Sequence, residues 1–122
     1  MEAREREKVM GRKLGTVVVS PAVLGMISRL TALSVPGVVR MGPLGVRRLL
    51  GAYGRNGVKV QFVDEAVVLD VYIIAATNVN MLELSREIQA KVTRAIHDIM
   101  GMAVREVNIH IVDVLDAEES VG

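Results

Sequence analysis

Three stretches decide the fold of this chain: Gly57-Val58-Lys59-Val60-Gln61-Phe62, then Ala66-Val67-Val68-Leu69-Asp70-Val71-Tyr72-Ile73-Ile74-Ala75-Ala76, and, after a helix that opens at Asn80, Val104-Arg105-Glu106-Val107-Asn108-Ile109-His110-Ile111-Val112-Asp113-Val114. Val58 to Val63 alternates and places Val58, Val60 and Phe62 on one face of a strand. Asp64-Glu65 makes a turn. In the return strand Val67, Leu69, Val71 and Ile73 face one side, and Val68, Asp70, Tyr72 and Ile74 face the other. The second face is also largely apolar, so the strand is central and covered, or its open face is a contact surface. Polar side chains that could do chemistry are nearly absent. The pattern reads as a domain made to fold and to be touched.

The flanking elements follow from local signals. Asn80 with Glu83 resembles a capping box. Leu84, Ile88, Val92, Ala95, Ile96 and Ile99 form the expected buried stripe of the helix, with Glu87–Lys91 and Arg94–Asp98 as (i, i+4) pairs on its wet face. Gly101 ends it. In the last strand Val107, Ile109 and Ile111 face the core, and Asn108 and His110 face away. Upstream, Leu14 to Val19 reads as a short strand. Ser20-Pro21 starts a helix with Ser as N-cap and Pro at the first helical position. Val23, Met26, Ile27, Leu30 and Leu33 are expected on its buried face. Val35-Pro36-Gly37 turns the chain into a short strand at Val38 to Met41. The sum predicts an α+β fold: a two-layer sandwich with two helices packed on one face of a mixed sheet of about four strands. A charged N-terminal arm covers 1–13, the domain 14–115, and an acidic tail 116–122.

A chain of 122 residues makes one domain with a core of ordinary size. Apolar residues make up 51%, yet there is no Trp, one Phe and two Tyr, so the core is aliphatic with Met as filler. The absence of Cys excludes disulfides, thiolate metal sites and thiol nucleophiles and fits a reducing compartment. Met1 to Lys13 lacks the apolar core of a signal peptide. No apolar run approaches the roughly 20 residues that span a bilayer, and Asp70 interrupts the longest one. The expectation is a soluble, cytoplasmic protein with no direct membrane insertion.

Chemistry finds little to stand on. The two histidines, His97 on a helix and His110 in a strand, have no serine in a nucleophile-elbow sequence near them. His110 and Asp113 lie on opposite faces of their strand if it is regular, so they cannot chelate together. No catalytic residue, metal site or cofactor is expected. Asp70 stands in an apolar strand, and a base on the neighbouring strand, such as Lys59, is its expected partner. The formal charge of +1 hides a positive loop: residues 36–61 hold Arg40, Arg47, Arg48, Arg55 and Lys59 and no acid. Within it, Gly42-Pro43-Leu44-Gly45 has the spacing of the Gly-x-x-Gly loop of KH domains, followed by Arg47 and Arg48. That makes a KH-like nucleic-acid module the alternative reading. Pro43 removes one of the N–H groups such a loop needs, the preceding helix is missing, and aromatic residues for stacking bases are scarce, so nucleic acid is the weaker partner class.

The order and spacing of several pieces carry a resemblance. Val18-Val19-Ser20-Pro21-Ala22-Val23, Val35-Pro36-Gly37-Val38, Gly57-Val58-Lys59-Val60, Val68-Leu69-Asp70-Val71-Tyr72-Ile73-Ile74, Arg86-Glu87-Ile88-Gln89, and Met100-Gly101-Met102 with Val104, Glu106-Val107-Asn108-Ile109-His110-Ile111 and Asp113-Val114 together resemble the alkaline shock protein family, the envelope stress response proteins of Gram-positive bacteria. The match runs from about Val17 to Val114. It implies a non-enzymatic cytoplasmic scaffold or adaptor, linked to the cell-envelope stress response, that self-associates as a homo-oligomer or is held near the membrane by a membrane-anchored partner protein. Two departures stand out: Ala22 replaces an expected Glu, and the loop before Gly57 is richer in Arg. The candidate partner-binding residues are Asp70, Tyr72, Ile74, Asn108 and His110 on the open sheet face, and Arg40, Arg47, Arg48 and Arg55 in the loop.

Overall fold

Residues 18–43 and 57–116 are described by a computed structural model. The elements are α1 (Pro21–Leu33), β1 (Val38–Met41), β2 (Val58–Val63), β3 (Ala66–Ala76), α2 (Met81–Met100) and β4 (Ala103–Leu115). The fold is α+β. β3 is the axis of a mixed four-stranded sheet. Along one edge it pairs antiparallel with β2, from Val58↔Val71 to Val63↔Ala66, and then with β1, from Met41↔Ile73 to Val38↔Ala75. β1 and β2 thus lie end to end. Along its other edge β3 pairs parallel with β4 over its whole length, Ala66↔Ala103 to Ala76↔Leu115.

Local chemistry sets the joints. The two-residue hairpin between β2 and β3 needs a positive φ, and Asp64 takes it at 55°, a conformation that Asp tolerates better than most residues. Ser20 caps α1 through Val23 N, and Asn80 Oδ1 accepts from Glu83 N at 3.0 Å to cap α2. Gly101 closes α2 by donating to the His97 carbonyl. At Gly37, φ is +106° and an added Cβ would press on Val79 and Leu84, so the turn into β1 requires glycine.

The core lies between the helices and one sheet face. Val67, Leu69, Val71, Ile73 and Ala75 of β3 meet Val58 and Val60 of β2, Leu24 and Ala32 of α1, and Leu84, Ile88, Val92 and Ile96 of α2. Buried Ser28 satisfies its hydroxyl on the Leu24 carbonyl at 2.8 Å.

Several expectations need correction. Val18 and Val19 are not in a strand, and the rest of the strand expected at Leu14 to Val19 lies outside the described residues. The buried face of α1 is Leu24, Gly25, Ser28 and Ala32, whereas Val23, Met26 and Leu30 are exposed. Small residues let this helix sit close, and a reading by hydrophobicity passes over them. On α2 the stripe runs at strict four-residue steps from Leu84 to Ile96. Ala95 is half-buried, and Ile99, off that line, is 64% exposed. Lys91 pairs with Glu87 at 3.3 Å, but Asp98 meets His97 instead of Arg94. Phe62, at the end of β2, is half exposed. The arm, the loop 44–56 and the tail 117–122 lie outside the described residues.

Leu69→Ala and Leu24→Ala are each expected to destabilise the domain by roughly 2–5 kcal/mol. Leu30→Ala should cost less than about 1 kcal/mol because its side chain stays in water. Denaturant titration of the three variants checks this assignment, and a costly Leu30→Ala would reverse the face of α1.

Candidate functional site

The sheet face away from the helices is built by β3 and β4 together. Parallel pairing in register sets Asp70 beside Asn108 and Tyr72 beside His110. All four side chains project on the same side because residues two apart on a strand share a face. They form a connected cluster. Asp70 Oδ1 accepts from His110 Nε2 at 2.9 Å and from Asn108 Nδ2 at 3.3 Å. The Tyr72 ring stacks on the His110 imidazole, with centroids 4.3 Å apart and planes 8° from parallel. A carboxylate only accepts, so Nε2 carries the hydrogen toward Asp70. Among the described residues this leaves His110 Nδ1 and the Tyr72 hydroxyl without hydrogen bonds. The Asp70 side chain is 17% exposed and that of His110 41%, so the acid is the less exposed root and the imidazole the presented tip.

The expected partner of Asp70 is therefore replaced. Lys59 stands opposite Asp70 in register on β2, yet His110 and Asn108 from the other edge take the carboxylate. Planar side chains on a parallel neighbour reach it with little loss of rotamer freedom, whereas a Lys would have to be held.

Around the cluster the face is apolar at its base. Val68 and Ile74 are buried, flanked in register by Gln61 and Glu106 and by Arg40 and Asp113 respectively. Ile74 thus backs the face and does not present itself. Arg40 is exposed and stands on this side beside Ile74, which joins it to the sheet-face set. Arg47, Arg48 and Arg55 lie outside the described residues. Val112 is 43% exposed and reaches across to Gly42, where an added Cβ would collide with it. Gly42 N also donates to the Tyr72 carbonyl at 2.8 Å, which seats the end of β1 behind the stacked ring.

β4 is not regular. Extra residues interrupt its register between Val104 and Glu106 and again between Ile111 and Asp113. The second bulge brings Asp113 opposite Ile74, on the side of His110, where alternation alone would have placed it on the opposite face. No three His, Asp or Glu side chains among the described residues are grouped to hold a metal ion. His97, exposed at the surface of α2, meets only Asp98, at 3.4 Å. The Gly-x-x-Gly comparison also loses its framework at its start, because the residues before Gly42 form strand β1 and not a helix; Leu44 to Arg48 lie outside the described residues. Sequence reasoning found the members of the cluster from alternation. It missed their mutual contacts, whose only signal was the equal two-residue spacing of Asp70/Tyr72 and Asn108/His110.

In stability measurements, a double-mutant cycle on Asp70→Ala and His110→Ala is expected to give a coupling of about 1 kcal/mol, the size of a half-exposed charge-assisted hydrogen bond. A coupling indistinguishable from zero would mean that the pair is not held in solution.

Comparison with known proteins gives the chain a family. A model of the alkaline shock protein family, described by a cell envelope-related function, matches residues 10–115. The uncharacterized protein YqhY of Bacillus subtilis is 27% identical over 105 residues, 83% of this chain and 78% of its own length. The uncharacterized protein YloU of the same organism is 28% identical over 105 residues, 81% of this chain and 88% of its own. An uncharacterized protein of Streptococcus pyogenes serotype M6 is 27% identical over 103 residues, 80% and 78% of the two chains. No solved structure matches significantly.

Proposed function

This chain belongs to the alkaline shock protein family, whose function is cell envelope-related, and from that premise we propose that it is a non-enzymatic scaffold that self-associates and contacts a membrane-anchored partner through the open face of its sheet. The observation that carries the reading is the Asp70–Asn108–His110–Tyr72 cluster, locked by hydrogen bonds and stacking on a face that the helices leave uncovered. Protein contact sites pair aromatic anchors and Arg with a few fixed polar groups. Tyr72, His110, Asn108, Arg40 and the exposed Val112 supply that mixture. The groups are already ordered, so a partner would meet them at little entropic cost.

His110 has its Nε2 tied to Asp70, and no serine, threonine or cysteine side chain among the described residues hydrogen-bonds to it. Among the described residues no helix is long and apolar enough to cross a membrane, which is why the reading routes any membrane contact through a partner protein.

Tyr72→Glu puts a charge where the ring stacks, and it should lower recovery of the partner and shift the chain toward smaller assemblies while leaving its circular dichroism unchanged. Co-purification from native cells with and without detergent, and light scattering over a concentration series, read the two effects. A wild type that is monomeric at every concentration and purifies alone would overturn the reading.

A further inference from the structure

We propose that the outer edge of β4 pairs with the same strand of a second copy, antiparallel about a two-fold axis through Ile109. This rests on reading the chain as a self-associating scaffold, and it names the surface. β4 is 13 residues long. β3 covers one side of it, and among the described residues no strand pairs with the other. An open edge of this length presents a row of backbone donors and acceptors, which proteins usually cover or blunt with Lys, Pro or bulges; β4 contains no Lys or Pro, and its two bulges leave the stretch from Glu106 to Ile111 regular. Gln89 Nε2 holds one carbonyl, that of Val107, at 2.9 Å. A carbonyl has two lone pairs, so this bond does not close the edge.

The sequence of β4 fits its own copy in one register. Directly opposed residues must share a face, and opposed charges must differ in sign. An axis through Ile109 sets Val107 against Ile111 and Val104 against Val114 on the core side, Asn108 against His110 and Glu106 against the exposed Val112 on the open side, and Arg105 against Asp113 at both ends. The five residues centred on the axis, Val107 to Ile111, lie between the two bulges, and the Arg105/Asp113 pairs close the ends just beyond them. Arg105 and Asp113 are both exposed, and the ion pair of Arg105 with Asp64, at 3.7 Å, is loose. Moving the axis to Asn108 sets Arg105 against Ile111; moving it to Val107 sets Arg105 against Ile109; moving it to His110 sets Asp113 against Val107. Among these registers only the one through Ile109 sets Arg105 and Asp113 against each other; Glu106 then stands beside Val112 at the solvent-exposed face. It also brings Asn108 of the second copy beside His110, so each polar cluster gains a residue from the other chain. The helices of both copies stay on one side, and the two open faces become one.

The test uses the full chain. Arg105→Asp alone and Asp113→Arg alone each put like charges opposite each other twice, and each should weaken the dimer roughly tenfold by light scattering. An equimolar mixture of the two variants should recover wild-type association, because 105 and 113 are then complementary at both ends. The chain has no cysteine. Ile109→Cys should therefore give a single disulfide-linked dimer on mild oxidation, and this readout stands even if a charge variant fails to fold. A mixture that associates no better than its components, or an Ile109→Cys chain that does not cross-link, overturns the edge pairing. If wild type self-associates and is released by Tyr72→Glu but ignores the charge exchange, the edge falls and the scaffold reading stands. If wild type is monomeric throughout, both fall.

Discussion

Everything in this domain hangs on β3. Among the described residues it is the only strand hydrogen-bonded on both edges, with β2 and β1 sharing one side in succession and β4 running the length of the other. Its core-facing residues are fully buried, and three of the residues on its reverse face, Val68, Ile74 and Ala76, are nearly so. The remaining elements are arranged to satisfy it. α1 and α2 cover its apolar side, and the long crossover through α2 is what a parallel partner requires. A loss of packing at Leu69 or Ile73 would therefore be felt by every other element.

The candidate site follows from that constraint. A parallel neighbour in register repeats the side-chain alternation of β3 on the same face, so the polar positions of the two strands coincide and not merely approach. Asp70 and Tyr72 on one strand find Asn108 and His110 on the other at the same level. A half-buried carboxylate in an apolar sheet needs hydrogen-bond donors nearby, and here they come from the strand most remote in sequence.

Much of this was legible in the sequence because it rests on period and on caps. The alternation of β2, β3 and the centre of β4, the Ser20-Pro21 and Asn80 starts and the Gly101 stop are all local signals, and they placed the helices, the hairpin and the open face. What could not be read is what small residues and irregularities do. Gly25, Ser28 and Ala32 bury the face of α1 that hydrophobicity would have turned outward, because close approach rewards a missing side chain. The bulge before Asp113 shifts the face of everything after it, and no composition marks it. The partner of Asp70 was assigned to β2 because a hairpin is the nearest neighbour in sequence, whereas the planar donors stand on the crossover strand.

Asp70 carries a further consequence, one that bears on biosynthesis. β3 emerges from the ribosome with its hairpin partner already made, but β4 cannot reach its other edge until the whole of α2 has followed. For that interval the edge of an almost wholly apolar strand is open to pairing with another nascent chain, the kind of segment that seeds aggregation. A single charge in its centre opposes such stacking until Asn108 and His110 arrive to neutralise its cost. On this view Asp70 guards the unfinished chain before it anchors the finished surface.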